Sequence, residues 1–206
     1  MENNEKKLIY ASKDKPWMKF YKDYSETKSP NTNLTEYLKN KKEVKKNNIA
    51  TEYYGRKISF DEYFHNVDIA STIFSELGVK TQDNIMYLMP NIPESGYMFL
   101  GATQIGAISD FIDPRPDTTD IIANSRKVLE LVKYEKAKYI VTLDVCYLAM
   151  LKPIENELKE IGVSNIVLVS PKDSMNTMGT LSYLSDVINY NNLKNIRNKD
   201  HDVEKL

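Results

Sequence analysis

The chain has 206 residues, 41% of them hydrophobic and 28% charged, so it can bury one sizeable core and is too apolar for a disordered protein. A net charge of −1 lacks the basic excess of nucleic-acid binders, and a single cysteine, Cys146, excludes an internal disulfide and fits a reducing compartment. No apolar run has the length of a membrane span, and the polar N-terminus leads into no apolar signal region. We therefore expect a cytoplasmic globular protein.

Residues 1–48 are predicted to form an extended, polar N-terminal arm. Its aromatic residues follow no regular period, and we expect them to anchor the arm on the body of the protein; they are Trp17, Phe20, Tyr21 and Tyr24.

A short helix is predicted within this arm, because Leu34, Tyr37 and Leu38 have i, i+3, i+4 spacing, with Asn33 or Thr35 as its cap. A group of lysines near it alternates with Asn and Glu and is typical of a solvated helix face. These lysines are Lys39, Lys41, Lys42, Lys45 and Lys46.

The regular part of the chain begins at residue 49. Residues 49–54 and 57–59 flank Gly55-Arg56, a pattern that predicts a β-hairpin.

A long helix should follow, because Ser59 and Glu62 have the spacing of a capping box and Gly78 is placed to end the helix. Apolar residues recur between them at helical spacing, and they are Phe60, Tyr63, Phe64, Val67, Ala70, Phe74 and Leu77.

Four further strands, each a short apolar run, alternate with helices. The predicted strands are residues 85–89, 107–112, 139–143 and 166–169. The helices between them are expected from about Pro93 to Ile105 and behind Asp117-Thr118. Asp144 is expected to cap the last helix, which Pro153 interrupts before Gly162 ends it.

Continuous apolar strands alternating with helices predict an α/β fold with a parallel-rich sheet flanked by helices on both faces. We place this subdomain at residues 49–170, after the arm and before a polar tail at 171–206, and we expect right-handed crossovers.

Phosphate-binding glycine motifs are absent. Gly96 and Gly101 have Walker-like spacing, but Ala102-Thr103 follows where Lys-Ser/Thr is needed, and the pair Gly101 and Gly106 fails in the same way. We interpret these glycines as small residues that let one helix approach its neighbours.

Other reactive residues carry no clear motif. His65 and His201 have no nucleophile or carboxylate at a suggestive spacing and are expected at the surface. Cys146 lies in the first turn of a predicted helix, where a lowered thiol pKa is conceivable, but a role as a small buried hydrophobic residue is favoured.

Asp110 and Asp113 come at the carboxyl end of a predicted parallel strand, where α/β proteins place ligands. A phosphoacceptor domain would also need an acidic pair after its first strand, and only Glu94 is available there, with Lys172 as an isolated basic residue. The favoured interpretation is a loop whose Asp caps the next turn while Arg115 faces solvent or a neighbouring domain.

Six segments in order carry a resemblance to a known family. They are residues 54–62, 77–83, 89–94, 105–108, 112–115 and 137–142. Between about Ala50 and Pro171 the chain resembles the N-terminal region of the adenylate-forming superfamily of acyl-CoA synthetases, although Gln82 stands where glycine is usual. Residues 15–21 and 34–38 resemble the arm of bacterial fatty-acyl-CoA ligases in particular.

The resemblance implies that the whole enzyme adenylates a carboxylic acid with ATP and Mg²⁺, releases pyrophosphate and passes the acyl group to CoA. The superfamily's phosphate loop, acidic residues and C-terminal lysine would lie beyond this chain. We therefore assign no catalytic, cofactor-binding or metal-binding residue, and we expect an inactive N-terminal fragment that forms a homodimer through an uncovered apolar face.

Two other hypotheses stay open at this point. The chain could be a free-standing flavodoxin-like binding or regulatory domain, or a truncated relative that acts only by interaction. The ordered segments favour the synthetase fragment.

Overall fold

A computed structural model describes residues 10–20, 30–42, 47–115 and 120–181, and the chain separates into two compact units, Met1–Asn31 and Thr32–Leu206. The first unit contains helix α1 (Ala11–Asp14) and a 3-10 turn (Pro16–Phe20). Trp17 and Phe20 are exposed in it. Anchoring of the arm by these rings therefore stays a prediction, and Tyr21 and Tyr24 lie outside the described residues.

The core of the second unit is a parallel four-stranded sheet with the order β4-β3-β5-β6. Its strands are β3 (Asn84–Leu88), β4 (Ile108–Ile112), β5 (Tyr139–Leu143) and β6 (Asn165–Val169). All five residues of β5 and four of the five in β3 are buried, as expected for central strands covered on both faces. The predicted parallel sheet is confirmed, and each strand lies within two residues of its predicted place.

Helices cover both faces of this sheet. They are α3 (Phe60–Glu76), α4 (Pro93–Ile105), α5 (Ile121–Glu135), α6 (Asp144–Cys146) and α7 (Glu155–Glu160). On the face that carries Tyr87 and Phe111, the Tyr87 hydroxyl donates to the carbonyl of Met98 in α4 at 3.2 Å, and the two rings stack with centroids 4.7 Å apart. Right-handed crossovers place α5 and α7 on the opposite face, because β5 lies on the other side of β3 from β4.

The helix after β5 is interrupted, as Pro153 predicts. A π-type turn (Tyr147–Leu151) and a 3-10 turn (Lys152–Ile154) separate α6 from α7, because Pro153 has no N–H to donate to the carbonyl four residues back. The predicted capping role of Asp144 is wrong in detail. Leu143 occupies the N-cap position, and Asp144 is the first helical residue, its Oδ1 accepting from the N–H of Val145 at 2.7 Å.

A hairpin precedes α3, and its antiparallel strands are β1 (Ile49–Tyr53) and β2 (Arg56–Ser59). The turn is Tyr54-Gly55 rather than Gly55-Arg56, and both residues have positive φ, 46° and 75°. Two successive residues with positive φ form a type I′ turn, whose twist matches that of the two short strands. This turn favours glycine at its second position. Arg56 is therefore the first residue of the second strand.

The predicted caps of α3 are observed. The N–H of Glu62 donates to Ser59 Oγ at 3.2 Å, and the Glu62 carboxylate pairs with Arg56. At the other end, Gly78 has a φ of 83°, a left-handed conformation that ends the helix.

Helix α2 (Leu34–Lys42) also forms as predicted, and its cap is settled in favour of Asn33. Asn33 Oδ1 accepts from the N–H of Glu36 at 2.9 Å. Thr35 has a different role, because its fully buried hydroxyl donates to the carbonyl of Leu100 in α4 at 2.7 Å. Of the predicted solvated lysines, Lys41 is exposed and Lys39 pairs with Asp68, while the side chains of Lys42, Lys45 and Lys46 lie outside the described residues.

Asp83 ties the start of β3 to the start of β5. Its side chain is buried, accepts from the N–H of Lys80 at 2.9 Å and pairs with Lys138 Nζ at 2.5 Å. The hydrogen bond to Lys138 is the main reason that the pKa of Asp83 is lowered. This contact explains why an acidic residue belongs in the turn before the first central strand.

Helices α3 and α4 approach closely at Gly101. A Cβ built there would lie 2.8 Å from both Ala70 Cβ and the backbone nitrogen of Ser71. Because the obstruction includes backbone, it cannot be relieved by turning a side chain. The interpretation of Gly101 as a small packing residue is confirmed.

Gly101→Val should therefore destabilise the fold by about 1 to 3 kcal/mol, since it forces the two helices apart. Ala123→Val is the matched control, because Ala123 is an exposed helical residue of α5. It should change the free energy of unfolding by less than about 1 kcal/mol. Urea denaturation of both variants measures the difference, and equal stabilities would contradict the close approach.

Candidate functional site

The candidate site is the carboxyl edge of the parallel sheet. In the order β4-β3-β5-β6, the connections from β3 and β5 leave toward opposite faces, which creates a crevice between neighbouring strands. Ligands of open α/β sheets bind at such a switch point. The residues that follow the strands here are Met89–Asn91 after β3, Asp113–Arg115 after β4 and Asp144 after β5.

The loop after β4 is organised by an ion pair within itself. Asp113 Oδ1 accepts from the backbone N–H of Arg115 at 2.9 Å, and the Arg115 guanidinium donates to both carboxylate oxygens of Asp113. The hydrogen bonds from the Arg115 side chain and backbone hold the pKa of Asp113 at about 2. The predicted Asp-capped turn is confirmed, and both charges are exposed and neutralise each other.

Two cavities open beside this loop. One of about 330 Å³ lies between the ends of β3 and β4 and is lined by Asn91, Phe111 and Arg115 among others. A second of about 450 Å³ lies against α5, with Asn124 and Lys127 in its lining. Both volumes are of the size that small molecules or parts of them occupy.

Asp110 does not belong to this loop. Strand β4 continues to Ile112, so Asp110 lies in mid-strand rather than at the carboxyl end where the sequence placed it. Its Oδ2 is buried without a hydrogen-bond partner among the described residues, and burial raises the pKa of the Asp110 carboxyl.

A phosphoacceptor site does not assemble from the residues that would be needed. Glu94 is buried near Ser174 rather than displayed in an acidic pair, while Lys172 is exposed. Within residues 10–20, 30–42, 47–115 and 120–181, no group of three His, Cys, Asp or Glu side chains could hold a metal ion.

The remaining single residues behave as structural or surface groups. Cys146 is buried, and desolvation is the main cause that raises the pKa of its thiol to about 11, so the favoured role as a small hydrophobic residue is supported. His65 is exposed, and His201 lies outside the described residues. Gly106 ends α4 with a φ of 78°, and a Cβ at Gly96 would collide with the Tyr63 hydroxyl.

A second concave surface begins at Asn91 after β3 and extends away from the parallel sheet. This mostly apolar groove of about 920 Å³ runs between α2, β1, α3 and α4. Its aromatic lining consists of Tyr53, Phe60, Tyr63 and Phe64. No pattern in the sequence predicted this groove, because its walls come from four elements that are separate along the chain.

A sequence profile of the AMP-binding enzyme family matches residues 38–201, which is most of the chain. The chain belongs to the AMP-binding enzyme family. The match includes the hairpin, the parallel sheet and the loop at Asp113. Within this AMP-binding enzyme domain, none of the described helices is long and apolar enough to cross a membrane.

Curated proteins similar to this chain include plant ligases. The chain is 34% identical to 4-coumarate–CoA ligase 1 of Solanum tuberosum over 94 residues. These residues cover 45% of this chain and 16% of that protein. The chain is 35% identical over 111 residues to 4-coumarate–CoA ligase of Vanilla planifolia, 50% of this chain and 19% of that protein. The chain thus matches less than a fifth of the length of these relatives.

Solved structures of the family share the fold. A benzoate CoA ligase from Burkholderia xenovorans LB400 aligns with a TM-score of 0.54 at 14% identity, over 73% of this chain and 28% of that one. A fatty acyl CoA synthetase of Mycobacterium tuberculosis aligns with a TM-score of 0.54 at 17% identity, over 69% and 27%. At these identities the likeness shows the fold alone.

Removing the guanidinium in Arg115→Ala should raise the pKa of Asp113 from about 2 toward the ordinary aspartate value, because its main hydrogen-bond donor is lost. NMR titration of the Asp113 carboxyl measures this shift. Lys127→Ala is the control and should move the pKa much less, since Lys127 is the smallest of the causes acting on Asp113. Equal shifts in the two variants would show that the loop pairing is not the cause.

Proposed function

We propose that this chain is the N-terminal subdomain of an ATP-dependent, AMP-forming acyl-CoA synthetase, which adenylates a carboxylic acid and transfers the acyl group to the thiol of CoA. The observation that carries the proposal is the family match over residues 38–201 together with the parallel sheet that these residues form. Relatives named as 4-coumarate–CoA ligases and as acetyl-coenzyme A synthetase support an acid–thiol ligase.

The described residues do not fit ATP and Mg²⁺ as a binding site. They contain no group of side chains suited to a metal ion, and the Arg115 charge in the β4 loop is already paired with Asp113. Adenylation requires cations and N–H groups aimed at phosphoryl oxygens. We therefore derive no chemical step from this segment and propose that it contributes the scaffold at the sheet edge.

The purified 206-residue chain should not catalyse ATP–pyrophosphate exchange with any carboxylic acid, because its sequence contains no phosphate-binding glycine motif to stabilise charge on the phosphoryl oxygens. Radiolabelled pyrophosphate incorporation into ATP measures this activity, with an intact acyl-CoA synthetase as positive control. Exchange above the no-enzyme background, at a rate proportional to the amount of this chain, would overturn the proposed scaffold role.

The proposed acid is a fatty acid, and the support is the resemblance of residues 15–21 and 34–38 to the arm of fatty-acyl-CoA ligases. The names of the plant relatives point instead to aromatic acids. Exchange assays on the natural full-length protein with fatty acids, hydroxycinnamic acids and acetate distinguish these classes. The proposed chemistry and the single cysteine support a cytoplasmic location.

We also propose a homodimer, formed by antiparallel pairing of the β4 edge with the same edge of a second copy. Strand β4 pairs only with β3 among the described strands and exposes Ile108 and Phe111, 46% and 51% accessible. Unpaired apolar edge strands commonly recruit another strand, and two-fold symmetry closes such a contact. The other edge, β6, begins instead with exposed polar Asn165.

Sedimentation at increasing protein concentration should show a monomer–dimer equilibrium for the wild-type chain. Ile108→Lys should shift it to monomer, because a charge on an edge strand opposes pairing. Ile69→Lys is a matched control, since Ile69 is 45% accessible but lies on α3. A strictly monomeric wild type, or equal effects of both lysines, would contradict dimerisation through β4.

A further inference from the structure

A buried polar cluster lies where the chain leaves β6, remote in sequence from its partners. Its centre is Glu94, the second residue of α4, which is only 7% accessible. Tyr97 on the next turn of α4 is equally buried, and Ser174 is 2% accessible. No motif in the sequence predicted this cluster, because Glu94 was considered only as one member of an incomplete acidic pair.

The polar atoms of this cluster are poorly satisfied. Both carboxylate oxygens of Glu94 and the hydroxyl of Tyr97 are shielded from solvent and have no hydrogen-bond partner among the described residues. A buried unpaired carboxylate is strongly unfavourable, whereas a neutral carboxyl costs much less. Desolvation is the largest cause that raises the pKa of Glu94, and the nearby Ser174 hydroxyl and backbone oppose it only in part.

The charged and titratable groups around Glu94 come from four elements. Asp173, beside Ser174, and Tyr53 on β1 interact with it electrostatically, and Tyr97 does so from α4. From α3, Glu62 acts on Tyr97 but is paired with Arg56. The charge acting directly on Glu94 is therefore that of a second acid, which disfavours ionisation further.

Residues 171–181 close the cluster from outside. A 3-10 turn (Pro171–Ser174) buries Pro171 and Ser174 against the start of α4, and a short helix at 177–181 follows it. The carbonyl of Asp173 accepts from Arg56 Nη1 at 2.9 Å.

The same segment fits tightly over the hairpin turn. A Cβ at Gly55 would lie 2.9 Å from Asn176 Nδ2, and one at Gly179 would lie 2.8 Å from Tyr54 Cβ. Residues 171–181 are thus packed on two elements, and the cluster around Glu94 lies beneath them.

We propose that Glu94 is a protonation-controlled latch, which holds residues 171–181 against α4 and the hairpin when its carboxyl is neutral and releases them when it ionises. A neutral carboxyl can stay buried beneath the segment at a modest cost in free energy. An ionised carboxylate is far more costly to bury and is driven toward water, and reaching water requires the overlying segment to lift.

The direction of the pH dependence follows from the raised pKa of Glu94 in the closed state. In the open state the carboxyl faces water and its pKa returns toward the ordinary glutamate value. Closure of residues 171–181 is therefore most favourable below the open-state pKa of Glu94 and weakens as the pH rises toward its closed-state pKa. The opening constant should rise by about tenfold per pH unit between the two pKa values and then level off.

Hydrogen exchange of the complete chain, followed by mass spectrometry from about pH 4 to about pH 9, tests the latch, because the range brackets the pKa values known for buried glutamates. Peptides from 171–181 should lose protection with rising pH after correction for intrinsic exchange rates. Peptides from β5 in the same sample report the integrity of the core and should stay protected.

Glu94→Gln is the decisive variant, because it keeps the shape and removes the ionisation. Its segment 171–181 should keep the same protection across the whole range. Glu76→Gln, at an exposed acid near the end of α3, should retain the wild-type dependence. Ser174→Ala should extend the protection to higher pH, because the Ser174 hydroxyl lowers the pKa of Glu94 in the closed state.

Two results would overturn the latch. One is a wild-type segment whose corrected protection does not change with pH while β5 stays protected. The other is a folded Glu94→Gln variant, judged by the same β5 peptides, that retains the wild-type pH dependence. Neither result depends on enzymatic activity, so the latch and the proposed synthetase function fail or stand separately.

Discussion

The structure depends on the parallel pairing of β3 with two neighbours at once. Residues 85–88 of β3 align with β4 on one side and with β5 on the other, and these residues of β3 are fully buried. A parallel ladder cannot close through a tight turn, so each pairing requires a helical crossover on one face. The helices α4 and α5, and the loops at the carboxyl edge, take their positions from this one strand.

Close packing between helices then fixes the elements that lie further from the sheet. Gly101 lets α4 contact the backbone of α3, Thr35 fixes α2 to the carbonyl of Leu100, and α3 carries the hairpin at its start. The buried polar cluster under residues 171–181 joins the same assembly at the first turn of α4. The path from the central strand to residues 171–181 therefore consists of contiguous packing contacts.

This architecture accounts for why the family segments are found where they are. Asp83 links the turn before β3 to Lys138 before β5, Gly78 ends α3, and Pro93 opens α4 at a position where a missing N–H has no cost. These residues fix turns and helix ends around the parallel sheet. A scaffold of this kind agrees with a segment in which charged groups such as Arg115 and Lys138 are already paired.

The sequence by itself determined the local elements, because their signals are local. Apolar runs located every strand of the parallel sheet, and helical periodicity with Ser59, Gly78 and Pro93 located the helix ends. The Asx-type turn at Asp113 was also predictable, since it involves only the next two residues. The family landmarks were recognisable for the same reason.

Only the tertiary structure decided which residues meet across the chain. The strand order, the interior position of Asp110, the aromatic groove and the burial of Glu94 beneath Ser174 each join segments far apart in sequence. The same amino acid can be a solvated surface acid or a desolvated neutral one, and its own neighbours in sequence do not distinguish the two. Glu94 differs from an exposed glutamate through the segments that pack around it, so the raised pKa of its carboxyl is a property of packing.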